Sequence, residues 1–228
     1  MTVLVVGASS GIGRATALAF AHDGARVMAA ARRRDQLSEL SKHCEISVAD
    51  VSSSEQMQRL AQEAQTALGP LDVMVYAAGT NTPDRAMKNL SVETWDTTVA
   101  TNLNGAYYIT RAVLPAMREC HAGHLIYISS IGGIYPDASG AAYQASKRGL
   151  LGLAHATRLE EKENGIRTCV ICPGLTNTAL VERRPVKPTP EMLRDALQPE
   201  DIAETILAIA KLPARAAVPE IEIVPARL

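Results

Sequence analysis

Residues 2–14 read Thr2-Val3-Leu4-Val5-Val6-Gly7-Ala8-Ser9-Ser10-Gly11-Ile12-Gly13-Arg14. A short apolar run ends in three closely spaced glycines, and a helical pattern opens directly behind them. Glycines at such a junction allow a tight turn and let the backbone approach a phosphate closely. The helix start behind them offers unpaired N–H groups and the positive end of its dipole. The same residues could make an ordinary strand-to-helix turn. The strand–loop–helix context favours a dinucleotide site.

Outward from this junction the chain alternates. Short β-branched runs are followed by longer stretches of helical period. The pattern predicts strands at Val3–Val6, Arg26–Ala30, Glu45–Val48, Val73–Tyr76, His124–Ile128, Arg167–Ile171 and Glu220–Val224. It predicts helices at Gly11–His22, Arg34–Lys42, Ser54–Leu68, Ser91–Glu119 (as two helices), Gly140–Glu163 and Pro199–Leu212. This is the order of an α/β, doubly wound sheet of seven mostly parallel strands with helices on both faces, expected as one domain over residues 1–228. Leu175–Leu197, with Pro185, Pro188 and Pro190, is weakly patterned and reads as a lid loop.

Composition narrows the partners. The 228 residues carry 23 Lys plus Arg against 24 Asp plus Glu, a formal charge of −1, which argues against nucleic acid or an anionic membrane. The rings are few: six Tyr, one Trp and one Phe, too sparse for a base-stacking surface. All but Phe20 fall between Tyr76 and Tyr143. No secretory leader is apparent and no apolar run approaches the ~18 residues of a membrane span, so a cytoplasmic protein is expected. Cys169 and Cys172 form a Cys-x-x-Cys, but the stretch that holds them, Ile166–Cys172, reads as a buried strand. Residues three apart there face opposite ways, so neither a redox pair nor a metal site is expected. His121 and His124 flank Gly123 and are expected to be solvated.

The spacing Gly7-x-x-x-Gly11-x-Gly13 resembles the short-chain dehydrogenase/reductase family, which implies a Rossmann fold. Further motifs agree in order and interval from Met1 to about Leu212. Tyr143-Gln144-Ala145-Ser146-Lys147 puts a phenol and an ammonium on one helix face. A phenol of pKa ~10 becomes a useful acid/base near neutrality when a cation favours its phenolate, and three units of lowering correspond to about 4 kcal/mol. Ser130 lies 13 residues before Tyr143, at the family's interval. Asn102 matches the family's helix asparagine, which holds a water linking the lysine to solvent. The resemblance thus makes Asn102, Ser130, Tyr143 and Lys147 the catalytic set. It implies cofactor contacts from Gly7, Ser9, Ser10, Gly11, Ile12, Gly13, Asp50, Val51, Ala78, Gly79, Tyr143, Lys147, Pro173, Gly174 and Thr178.

The exit of the second predicted strand, Ala31-Arg32-Arg33-Arg34, lacks the acidic residue that binds a free ribose 2′-hydroxyl. Arg32 and Arg33 can instead bind a 2′-phosphate, which favours NADP(H) over NAD(H). Three features depart from the family. Tyr76 stands where Asn is usual, Val6 stands where Thr is frequent, and the ending Pro219–Pro225 lacks the common Gly-Gly. The ending loosely resembles members that act on small hydroxy acids and aldehydes.

The expected activity is hydride-transfer interconversion of a secondary alcohol, or a hydroxy acid, and its ketone or aldehyde. The substrate is a small-molecule carbonyl or alcohol, and no metal is expected. Alternatives are a non-catalytic NADP(H) sensor or an NAD-dependent member of the same family. Epimerase or dehydratase chemistry on nucleotide sugars is disfavoured, because it calls for a longer C-terminal substrate domain than follows Pro173. The pocket is expected from Ile131–Asp137, with Tyr135 and Asp137 facing substrate, from Leu175–Leu197, and from residues near Asn81. Arg183, Arg184 and Lys187 either receive a carboxylate or form a solvated loop. The resemblance implies a homodimer or homotetramer pairing through Ser91–Glu119 and Gly140–Glu163.

Overall fold

The strands carry few polar side chains away from the edges of the sheet, because both faces are covered there. In a computed structural model, which describes residues 1–227, they are β1 (Thr2–Val6), β2 (Arg26–Ala31), β3 (Glu45–Val48), β4 (Val73–Tyr76), β5 (Gly123–Ile128), β6 (Ile166–Pro173) and β7 (Glu220–Ile223). They form one sheet in the order β3-β2-β1-β4-β5-β6-β7, and every pairing is parallel. The helices are α1 (Gly11–His22), α2 (Arg34–Ser38), α3 (Ser54–Leu68), α4 (Val92–Val99), α5 (Gly105–Cys120), α6 (Ala141–Glu161), α7 (Pro190–Asp195) and α8 (Pro199–Ala210).

Side-chain alternation along the strands divides the core into two layers. Leu4, Val6, Met74 and Tyr76 pack with residues of α3, α5 and α6, while Val3, Val5, Val73 and Val75 pack with residues of α1 and α8. Each fully buried aliphatic chain contributes about 1.5–3 kcal/mol. Cys169 belongs to the second layer and Cys172 to the first, so the two thiols face away from each other across the sheet. Burial pushes both thiols up to about 12, which keeps them protonated. Among the described residues there is no cluster able to hold a metal ion, and no helix long and apolar enough to cross a membrane.

Strand order reverses between β1 and β4. In open parallel sheets a crevice forms at such a point beyond the carboxyl ends of the strands. The residues that matter most lie there.

Three expectations need correction. The second helix stops at Ser38 rather than Lys42, where Ser38 and Ser41 turn their hydroxyls back onto the carbonyls of Asp35 and Ser38 at 2.6 and 2.7 Å. α7 lies inside the stretch read as loop, started by Pro190 and by the Thr189 hydroxyl accepting from Met192 N at 3.2 Å. His124 is not solvated. β5 begins one residue earlier than expected, at Gly123, and carries His124 inward beside Val73 and Arg167. Its two ring nitrogens have no hydrogen-bond partner among the described residues, and burial, with Arg167 nearby, holds its pKa down to about 3.

The expected Ser91–Glu119 helical stretch is split by a π-helical segment, Ala100–Asn104, between α4 and α5. Such single wide turns re-aim a side chain within an otherwise regular helix. Here the re-aimed residue is Asn102, which is fully buried.

Candidate active site

The cleft begins at the glycine loop. A Cβ at Gly13 would sit 2.4 Å from the Gly7 carbonyl oxygen, and one at Gly7 would sit 2.4 Å from the Ala78 nitrogen. The loop therefore packs backbone on backbone, and Gly7 also takes φ +93°, a conformation that a side chain disfavours. Gly13 acts through this packing and does not line the cleft, whereas Gly7, Ser9, Ser10, Gly11 and Ile12 do. Ser10 is the N-cap of α1 but gives it no side-chain hydrogen bond, and the first turn holds no acidic residue. The helix start thus keeps its N–H groups and its dipole available to an anion.

The Ser10 oxygen is engaged elsewhere. Arg33 donates from Nη2 to Ser9 Oγ at 2.8 Å and to Ser10 Oγ at 2.9 Å. Arg32 lies 3.8 Å from the Asp50 carboxylate, and Arg32 and Arg33 both line the cleft. β3 ends at Val48, two residues before Asp50. Burial works to raise the Asp50 carboxyl, but the Ser52 amide and hydroxyl and the Arg32 charge outweigh it, and its pKa lies below the usual value. Its carboxylate accepts from Ser52 N and Oγ at 3.0 and 2.8 Å. Val51, Ala78 and Gly79 line the cleft further along. The narrow glycine floor, the uncapped helix start and the two guanidiniums fit a nicotinamide dinucleotide.

Beyond Gly79 the cleft meets Lys147 and Tyr143 on α6. Lys147 Nζ donates to the Ile128 carbonyl at 2.8 Å and stands 5.7 Å from the Tyr143 ring centre. Burial brings the ammonium down to about 8. The Tyr143 phenol is also buried, and burial places its pKa above the ordinary 10, opposed by the Ser130 hydroxyl and by the charges of Arg184 and Arg85. In the protein alone the phenol therefore keeps its proton at neutral pH, because burial outweighs the nearby cations. Asn102 Oδ1 accepts from Thr80 N at 2.7 Å, and its Nδ2 donates to Thr80 O and Ser146 Oγ at 3.0 Å each. It lies just behind the cleft, where a Cβ at Gly79 would be 3.3 Å from Lys147 Nζ and 3.7 Å from Asn102 Oδ1.

Tyr76, the departure from the family pattern, is wholly buried and donates its hydroxyl to the Thr101 carbonyl. It anchors the π-helical segment that carries Asn102. Close packing at Gly105, where a Cβ would fall 2.4 Å from the Tyr76 hydroxyl, makes room for this ring.

A second cavity adjoins the first through Tyr143. Ser130, Pro173, Gly174 and Thr178 line it, together with Asn81, Asp137, Arg85 and Arg184. Thr178 also reaches the glycine loop, since a Cβ at Gly11 would sit 3.2 Å from its methyl group. The expected lid leaves and rejoins the body at one point: Leu197 N donates to Leu175 O and Asn177 N to Leu197 O, at 3.0 and 2.8 Å.

The expected basic group separates. Arg183 turns to the cofactor side, where it donates to Thr80 Oγ1 at 2.9 Å and Asn81 O at 3.3 Å. Lys187 pairs with Glu182 at 2.8 Å on the surface. Only Arg184 faces the second cavity. Tyr135 is half exposed, meets Glu222 at 3.2 Å and does not line that cavity, whereas Asp137 does. The sequence reading missed Arg85, which is buried with Nε on Thr82 O and Nη2 on Arg183 O at 2.8 and 2.5 Å. It also missed the lining positions Thr80 and Ala77.

Known proteins resemble this chain in sequence and fold. The family described as short chain dehydrogenase matches residues 1–188. An uncharacterized oxidoreductase of Staphylococcus aureus strain MRSA252 is 32% identical over 99% of this chain and 100% of its own. A 3-oxoacyl acyl-carrier-protein reductase of Thermotoga maritima is 32% identical over 91% of this chain and 89% of its own. The structure of a serine dehydrogenase in its closed form with NADP+ superimposes with a TM-score of 0.89 at 30% identity, covering 98% of this chain and 94% of the other.

Proposed function

The chain belongs to the short-chain dehydrogenase/reductase family and is an oxidoreductase; from that premise we propose that it uses NADP(H), in preference to NAD(H), to interconvert an alcohol and its ketone or aldehyde. The observation that carries the reading is the junction of the two cavities at Tyr143, which lines both. One cavity has the phosphate-binding features, and the other brings Ser130 to the same phenol.

The glycine loop and the start of α1 would hold the pyrophosphate, Arg32 and Arg33 the 2′-phosphate, and Asp50 and Val51 the adenine side. Gly79, Lys147 and Thr178 would hold the nicotinamide end. When bound, the nicotinamide supplies or accepts the hydride. Tyr143 gives its phenolic proton to the carbonyl oxygen in reduction and takes one back in oxidation. Burial keeps that proton in place until a substrate oxygen demands it, while the surrounding cations stabilise the phenolate left behind. Ser130 donates to the same oxygen and orients it. Lys147 would hold the ribose and adds positive charge beside the phenol. Asn102 fixes the Thr80 main chain beside Lys147 and sustains the route by which Tyr143 regains a proton. Residues 1–228 act as one domain. The family resemblance supports a homodimer or homotetramer, with Trp95 and Tyr107 exposed on the helices concerned.

The test is Tyr143→Phe, which keeps the ring and removes the proton. Turnover on the best carbonyl substrate should fall about 10³-fold, with NADPH affinity within twofold of the parent by fluorescence titration. Near-parental turnover would contradict the reading.

A further inference from the structure

We propose that the substrate carries a carboxylate, and that Arg85 and Arg184 bind it beside Tyr143: the enzyme works on a small hydroxy acid and its oxo acid. The proposal rests on the oxidoreductase reading of the same cavity and adds its substrate class.

Arg85 is only 8% exposed, and Arg184 is partly buried. Neither guanidinium has a carboxylate within 4.0 Å among the described residues. Two bonds of Arg85 go to neutral main-chain carbonyls, of Thr82 and Arg183, which fix its plane without neutralising its charge. The Arg184 side chain makes no hydrogen bond among the described residues, although it lines the cavity. Burial, and then the neighbouring Arg184 charge, lower the Arg85 pKa, and the Asp137 carboxylate offsets them only in part. Two like charges turned into one cavity are costly unless a counter-charge arrives.

The protein brings that cavity one carboxylate for the two guanidiniums. Asp137 lines the cavity, but Ser139 occupies its carboxylate with N on Oδ1 and Oγ on Oδ2, each at 2.8 Å. A Cβ at Gly132 would come within 2.9 Å of Oδ2, so one face of the carboxylate lies against the main chain. With two cations and one anion around it, the cavity retains an excess positive charge. A planar guanidinium with N–H groups to spare is the donor best matched to a carboxylate. Both cations lie within electrostatic reach of the Tyr143 phenol, which places the bound acid group near the reacting oxygen.

The experiment measures NADPH oxidation with the four-carbon 2-oxo and 3-oxo acids, each beside its methyl ester and beside neutral ketones of similar size. The better acid should exceed its ester in kcat/KM by about thirtyfold, the scale of a charge-assisted contact. Arg184→Gln should reduce that ratio to about threefold, chiefly through KM. Arg184 is the primary variant because Arg85 also tethers the main chain; Arg85→Gln is interpreted only where its thermal midpoint matches the parent. As a readout free of turnover, butanoate should raise the thermal midpoint of the parent protein and not that of Arg184→Gln, with butanamide inert on both. Equal use of acid and ester, or an equal loss on both in Arg184→Gln, overturns the carboxylate assignment alone. No turnover on acids, esters or ketones overturns the oxidoreductase reading beneath it.

Discussion

The cofactor side of the cleft and its substrate side share one edge of the sheet but hold their shape by different means. On the cofactor side the main chain does the work. Gly7, Gly13 and Ala78 press backbone on backbone, and α1 presents its own N–H groups. On the substrate side the shape comes from side chains that cross long gaps in sequence. Arg183 reaches Thr80 and Asn81, and Arg85 reaches back to the Arg183 carbonyl. The first kind of site varies little with local substitutions outside its glycines. The second depends on a few guanidiniums, so specificity can change through single residues while the chemistry persists.

The sharpest way to break this comparison is at Arg33, where a side chain takes part on the cofactor side. Arg33→Ala removes its bonds to Ser9 and Ser10 and one charge for a 2′-phosphate. The KM for NADPH should rise about tenfold while that for NADH stays within twofold, consistent with a charge-assisted bond. An equal rise for both would place Arg33 in the support of the loop rather than in phosphate recognition.

A smaller effect is expected from Arg183→Ala, which cuts the link from the lid to Thr80 and Asn81. The KM values for cofactor and substrate should both rise about threefold, since each exposed or partly buried hydrogen bond is worth ~1 kcal/mol. Steady-state kinetics at saturating cofactor and then at saturating substrate separate the two. A change confined to one ligand would show that the two sides are not joined through this residue.

The differences in legibility follow the same division. The glycine loop and all seven strands were readable because main-chain geometry is dictated by nearby residues: glycines where φ is positive or packing is close, β-branched runs where both faces are buried. Ser130, Tyr143 and Lys147 were readable as an interval along one strand end and one helix. Arg85 was not, because nothing in its own neighbourhood distinguishes a buried guanidinium from a solvated one; its burial depends on residues about a hundred positions away. The separation of Arg183 from Arg184 is hidden for the same reason, since a short turn sends adjacent side chains to different cavities. Tyr76 was visible as a departure, but its partner Thr101 is met only through the π-helical segment.

A change outside both sides sets the scale for mere stability. His124 lies at the start of β5, at the opposite end of the sheet. Its folded pKa of about 3 is below the ~6.5 of an unfolded histidine. The stability that comes from burying the neutral ring is therefore present above pH ~6.5 and is lost as pH falls toward 3. His124→Leu should flatten that loss: urea midpoints at pH 7.5 and pH 5 should differ less than in the parent, with KM values unchanged. An identical pH slope would mean that the ring does not titrate differently on folding.

The central claim is tested most directly by initial rates of NADPH and NADH oxidation by the parent protein over a panel of aldehydes, ketones and oxo acids. The account predicts oxidation that depends on the added carbonyl, with kcat/KM for NADPH about tenfold or more above that for NADH. Tight NADPH binding with no turnover on any carbonyl, or a preference for NADH, would contradict it.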